Sequence, residues 1–133
     1  MSIKDLVPKH KSDFSTIAAL KTISVTEVKP ILERLLEWIQ DCNWPVAQQL
    51  LTVLPRFHTE LIPHVKNVLK SNDDEWIYFV ITELLYKFPK ASQKALLVDI
   101  KSLAEKAKNE NRDVFIEAGE FLSNYNKTYL SNN

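Results

Sequence analysis

Glu75-Trp76-Ile77-Tyr78-Phe79-Val80-Ile81-Thr82-Glu83-Leu84-Leu85-Tyr86-Lys87-Phe88-Pro89 is the stretch on which the fold turns. Ile77, Val80, Ile81, Leu84, Leu85 and Phe88 recur at steps of three and four residues, the spacing that gathers side chains on one face of an α-helix. Trp76, Tyr78 and Phe79 widen that face until the helix is apolar on most sides, which places it at the centre of the molecule. Asp73 or Asp74 can cap its start, and Pro89 stops it by lacking the backbone donor that would extend the ladder.

The same period extends in both directions. Ile31, Leu35 and Trp38 form one stripe with Leu32, Leu36 and Ile39 beside it, while Glu33, Arg34, Glu37 and Gln40 take the other side. Val46 to Leu54 and Leu61 to Leu69 give two more helices, with Pro55 between them, and Leu96 to Ala107 and Val114 to Tyr125 give the last two. Phe14, Ile17, Ala18 and Lys21 suggest a short opening helix, for which Ser12 or Asp13 is the expected cap. Ser24 and Glu27 have capping-box spacing, and Asn43 precedes Trp44 and Pro45 at a further helix start. The expected architecture is all-α, a short α-α superhelix of stacked antiparallel helix pairs with six to seven helices, in one domain over 1–133 whose polar tail at 126–133 frays. A weak internal repeat points the same way. Asp41 and Trp44 recur as Asp73 and Trp76 after 32 residues, and each tryptophan opens an apolar helix closed by Pro55 or Pro89.

Composition narrows function mainly by exclusion. Gly119 is the only glycine in 133 residues, which rules out the glycine-rich loops that cradle phosphates. Basic and acidic residues number 17 each, so the general attraction to a phosphate backbone is missing and nucleic acid is a disfavoured partner. Residues 31–75 form the acidic part of the chain, with seven acids against four bases. Lys87, Lys90, Lys94, Lys101, Lys106, Lys108 and Arg112 could supply a basic face, the one argument for nucleic-acid binding, but Glu83, Asp99, Glu105, Glu110 and Asp113 interleave with them. Cys42 is the only cysteine, no apolar leader is visible and no stretch is long enough to cross a membrane, so a cytoplasmic protein with no membrane contact is expected.

No catalytic or metal-binding grouping stands out, and neither an enzyme nor a cofactor is expected. His58 and His64 are six residues apart and fall on different helix faces, while Asp73, Asp74 and Glu75 lack the alternating ligands and glycine turn of a calcium loop. The candidate functional residues are Trp38, Asp41, Asn43, Trp44, Asp73, Asp74 and Trp76, which cluster at helix ends and could form an aromatic and acidic edge for an unidentified protein partner. The competing reading makes the Asp and Asn residues caps and the tryptophans core.

Leu61 to Trp76 resembles a HEAT repeat, with a proline near the start of its second helix and an acidic turn after it; the chain departs from that pattern at Ile77 and Tyr78, where those repeats carry Val-Arg. Leu6-Val7-Pro8 with Lys11 and Asp13, Leu35 to Asp41, Asn43-Trp44-Pro45-Val46-Ala47 and Asp73 to Trp76 resemble a bacterial family, domain of unknown function 5071. That resemblance implies a small HEAT-like helical fold and no particular reaction. An immunity or regulatory protein that blocks a partner through its acidic middle is the most specific expectation.

Overall fold

A computed structural model describes residues 2–107, 109–110 and 112–131, with side chains through 127. It is all-α, with no strand among the described residues. A 3₁₀ turn, Ile3–Leu6, is closed by Ser2 and Asp5, each bonding the other's end of the turn. Helix α1 (Ile17–Thr22) follows, and then a bent run made of α2 (Val25–Val28), a 3₁₀ turn at Pro30, α3 (Leu32–Glu37) and a second 3₁₀ turn, Trp38–Gln40. The proline explains the first break, because it gives up a helical donor and crowds the preceding turn.

Helix α4 (Pro45–Leu50) begins with proline at its first position, and a 3₁₀ turn at Leu54–Phe57 containing Pro55 leads into α5 (His58–Leu69). The central apolar stretch forms α6 (Asp74–Phe79), continues as a π-helical turn, Val80–Leu84, and tightens to a 3₁₀ turn, Leu85–Lys87. Two long helices, α7 (Lys90–Lys106) and α8 (Asp113–Ser131), complete the chain. The expected tail therefore falls partly on the end of α8 and partly, at 132–133, outside the described residues.

Helix α3 packs on α5, α5 on α7 and α7 on α8, while α6 lies against α8 and the Trp38–Gln40 turn. A single buried cluster runs from Leu6 to Phe121 and includes Leu35, Leu50, Phe57, Leu61, Ile81 and Ile100. Polar ties cross these joints. The His58 imidazole shares a 2.7 Å hydrogen bond with the Ser92 hydroxyl, linking α5 to α7. Asp99 on α7 pairs with both Lys66 on α5 and Lys70 just past its end, at 4.0 and 3.9 Å. Arg56 donates to the carbonyls of Leu20, at 2.7 Å, and Ile23, at 3.0 Å, satisfying backbone acceptors at the end of α1.

Three local expectations are corrected. Neither Ser12 nor Asp13 caps α1, whose first residue is Ile17. The Asp13 carboxylate instead accepts from the backbone of Lys9 and from the backbone and hydroxyl of Ser15, closing the loop before the helix. Ser24 does cap α2 by accepting from the Glu27 amide, but the Glu27 carboxylate takes the Ser24 hydroxyl rather than the backbone amide a full box requires. The central helix is not uniform either. Thr82 donates its hydroxyl to the Tyr78 carbonyl one turn back, a contact that competes with the backbone ladder where the helix widens.

Candidate functional site

The seven candidate residues occupy two neighbouring places. In the first, Trp38 lies in the 3₁₀ turn after α3 and Trp44 stands immediately before α4, and their rings meet edge to face with centroids 5.5 Å apart. Both rings are half-buried against the core, so each anchors the scaffold and still offers ring surface. Asp41 lies between them and accepts from the Asn43 amide at 2.9 Å, a side-chain turn that reverses the chain and brings the two rings together. Asn43 itself is exposed.

The tryptophans line a cleft of about 310 Å³ with Val7, Pro8, Arg34, Glu37 and Gln40. Its far wall comes from the amino-terminal loop, which is pinned to the start of α4 by a 2.8 Å bond from the Val46 amide to the Lys11 carbonyl. Arg34 and Glu37 are exposed at the rim, and neither has an ion-pair partner among the described residues. The sequence reading missed this rim. Its wall is set by a contact between segments more than thirty residues apart, which helical periodicity does not encode.

The second place is the start of α6. Asp73 accepts from the Trp76 amide at 3.1 Å and is therefore an N-cap, as its position before the apolar run suggested. Asp74 pairs with Arg112 at 3.4 Å, and Arg112 also reaches Glu110 at 3.3 Å while its guanidinium lies 4.3 Å from the Phe115 ring centre. Trp76 is half-buried, and its indole N–H donates to the Leu36 carbonyl at 3.2 Å, tying α6 to the end of α3. Asp73 and Trp76 thus hold the scaffold together. Asp74 also lines an open cleft of about 520 Å³ with Tyr78 and Arg112, and Trp76 a smaller one of about 150 Å³ with Glu33 and His64, but only the cleft at Trp38 and Trp44 brings two rings of the candidate set together.

The reactive side chains are held quiet. Burial pushes the Cys42 thiol up to about 12, helped by the Glu83 and Asp41 carboxylates and opposed by Lys87, so it stays a thiol at neutral pH. Hydrogen bonds from Ser15 and the Lys9 backbone hold Asp13 down, from 3.8 to about 2. Burial, with Glu120 and Asp113 adding to it, raises Glu117. No group of three or more metal-ligating side chains occurs among the described residues, and no helix among them is long and apolar enough to cross a membrane.

The late basic residues are divided by the fold. Lys90 is taken up by α8, where its ammonium donates to the Tyr125 carbonyl at 2.9 Å and lies 3.9 Å from the ring centre. Lys94 and Lys101 are exposed on α7, and Lys108 lies outside the described residues. Asp99 faces α5 with its side chain only 12% exposed, and Glu110 is engaged by Arg112, so neither neutralises Lys94 or Lys101.

No curated protein matches the chain. A family model described as domain of unknown function (DUF5071) matches residues 6–122, a span containing both tryptophan turns and the cleft between Trp38 and Trp44, and the chain belongs to that family.

Proposed function

We propose that this chain is a non-catalytic, cytoplasmic protein-binding module, built as a short HEAT-like stack of helix pairs, which receives an apolar or aromatic side chain of a partner protein in the cleft between Trp38, Trp44 and Val7-Pro8. The observation that carries this reading is the half-exposed, edge-to-face tryptophan pair within a cleft rimmed by Arg34 and Glu37. Energetic centres of protein interfaces combine buried aromatic anchors with a charged, solvent-accessible rim. Tryptophans already fixed by the core lose little rotamer freedom when a partner arrives, which lowers the ordering cost of association. A regulator or immunity protein that acts by covering a partner's surface needs nothing further.

The test begins with partners captured from the native host and continues with the purified pair. Trp44→Ala should weaken that pair by about 2 kcal/mol or more, roughly thirtyfold, as expected for a central anchor. Arg34→Glu with Glu37→Arg, two exposed changes that leave the core untouched, should slow association and alter its salt dependence. A purified partner that binds both variants as tightly as the native chain would place the interface elsewhere.

A further inference from the structure

We infer that the outer face of α7 is a second docking surface, shaped for an acidic segment of a partner protein. With 3.6 residues per turn, Ala91, Lys94, Ala95, Val98, Lys101, Ser102 and Glu105 share one side of the helix, and all seven are exposed. Val98 sits in the middle and is 79% exposed, the most exposed large hydrophobic side chain among the described residues. Lys94 and Lys101 flank it without an ion-pair partner among the described residues.

The other side of the strip is basic as well. Asp99 is turned about 100° away from Val98 and meets both Lys66 and Lys70, so one carboxylate serves two ammonium groups. Lys94 and Lys101 on the strip, with Lys66 and Lys70 meeting Asp99 beside it, make four lysines against the two carboxylates of Asp99 and Glu105, a positive excess that the alternating charges of the sequence conceal. The charge calls for an anionic partner, and the apolar centre selects among anionic partners. Phosphate backbones gain nothing from an exposed valine next to Ala91 and Ala95, and the strip has neither the arginines nor the aromatic rings with which proteins fork onto phosphates or stack on bases. A partner helix with carboxylates beside an apolar stripe would cover Val98 and meet the lysines together.

The probe is a synthetic amphipathic peptide carrying glutamates on both sides of a leucine stripe, titrated into the full chain and followed by backbone amide shifts. The expected result is saturable binding with the largest shifts between Ala91 and Ser102, weakened about tenfold by Lys94→Glu with Lys101→Glu and weakened again by added salt. Lys94→Gln with Lys101→Gln should give an intermediate loss, which guards against a folding artefact of the reversals. Lys21→Glu with Lys29→Glu, at exposed sites on other elements, should leave binding unchanged. The proposal is overturned by shifts that map elsewhere, by equal loss in the Lys21 and Lys29 control, or by the absence of saturation at about 1 mM peptide. It is equally overturned if duplex DNA or anionic vesicles bind the same strip more tightly than the peptide.

Discussion

Replacing Gln93 with leucine should destabilise the protein by about 2 kcal/mol, although the change makes a buried residue more apolar. Gln93 lies in the first turn of α7 with only 7% exposure, and its side-chain amide donates to the carbonyls of Leu85, at 2.9 Å, and Phe88, at 3.2 Å. These carbonyls belong to the end of the central helix, where Pro89 prevents the backbone from supplying further donors. The Leu85 carbonyl keeps a bond from the Phe88 amide, at 3.1 Å, when Gln93 is lost. The Phe88 carbonyl keeps no such partner, and one orphaned buried acceptor costs about 1–3 kcal/mol. In urea, with an m-value of about 1.5 kcal/mol/M, the midpoint should fall by roughly 1–1.5 M. Tryptophan fluorescence and far-ultraviolet circular dichroism should report that fall together. Gln93→Glu should be worse than Gln93→Leu at neutral pH, because a carboxylate cannot donate and would face two carbonyls. Its pKa would be raised in the folded state, so the deficit should shrink as pH falls toward about 4 and the carboxyl protonates. A Gln93→Leu midpoint within error of the native protein, with Gln93→Glu no worse, would refute the account.

Gly119 offers the opposite sign. It lies inside α8 without positive φ, and an added Cβ would meet nothing within 4 Å, so Gly119→Ala should stabilise the fold by about 0.5–1 kcal/mol in thermal or urea unfolding. Cys42 should resist thiol reagents in the native state and react at once when unfolded. Because its folded pKa, about 12, lies above the ordinary value of 9.0, its contribution is complete below pH 9.0 and is lost progressively above it; Cys42→Ser should flatten that alkaline decline. Asp13 behaves inversely, since its folded pKa of about 2 is below 3.8: its contribution is present above that ordinary value and disappears as pH falls toward 2. Asp13→Asn should therefore flatten the acid limb of a stability-against-pH curve, and an unchanged limb would show that the Lys9 and Ser15 bonds contribute nothing.

Much of the fold was legible because helices write their period into the chain. The stripe from Ile77 to Phe88, the cap at Asp73, the stop at Pro89 and proline at the opening of α4 all describe local choices, made within one or two turns. The π-helical turn at Val80–Leu84 was not legible, since Val80, Ile81 and Leu84 suit a regular helix equally well and the distinguishing contact is one hydroxyl, that of Thr82. Asp13 was misread for a similar reason. Aspartate serves loop closure and helix capping with the same acceptor, and only the position of the next amides separates the two. At the candidate site, composition and position marked Trp38 and Trp44, but the wall of Val7 and Pro8 depends on a tertiary bond between Lys11 and Val46. Asp99 shows the same limit in charge. In the sequence it offsets its lysine neighbours on α7, whereas in the fold it belongs to α5.

The Arg56 fork gives the molecule a seam. Its two bonds reach back 36 and 33 residues to the end of α1 from the 3₁₀ turn at Leu54–Phe57. The segment before α2 is then held by that guanidinium, by the Lys11 to Val46 bond and by the buried Leu6, Ile17 and Leu20. Arg56 is itself exposed, so water can compete for the clasp. The amino-terminal loop that walls the tryptophan cleft is joined to the rest by these few polar bonds and buried side chains, so the cleft keeps its shape only as long as that seam stays closed.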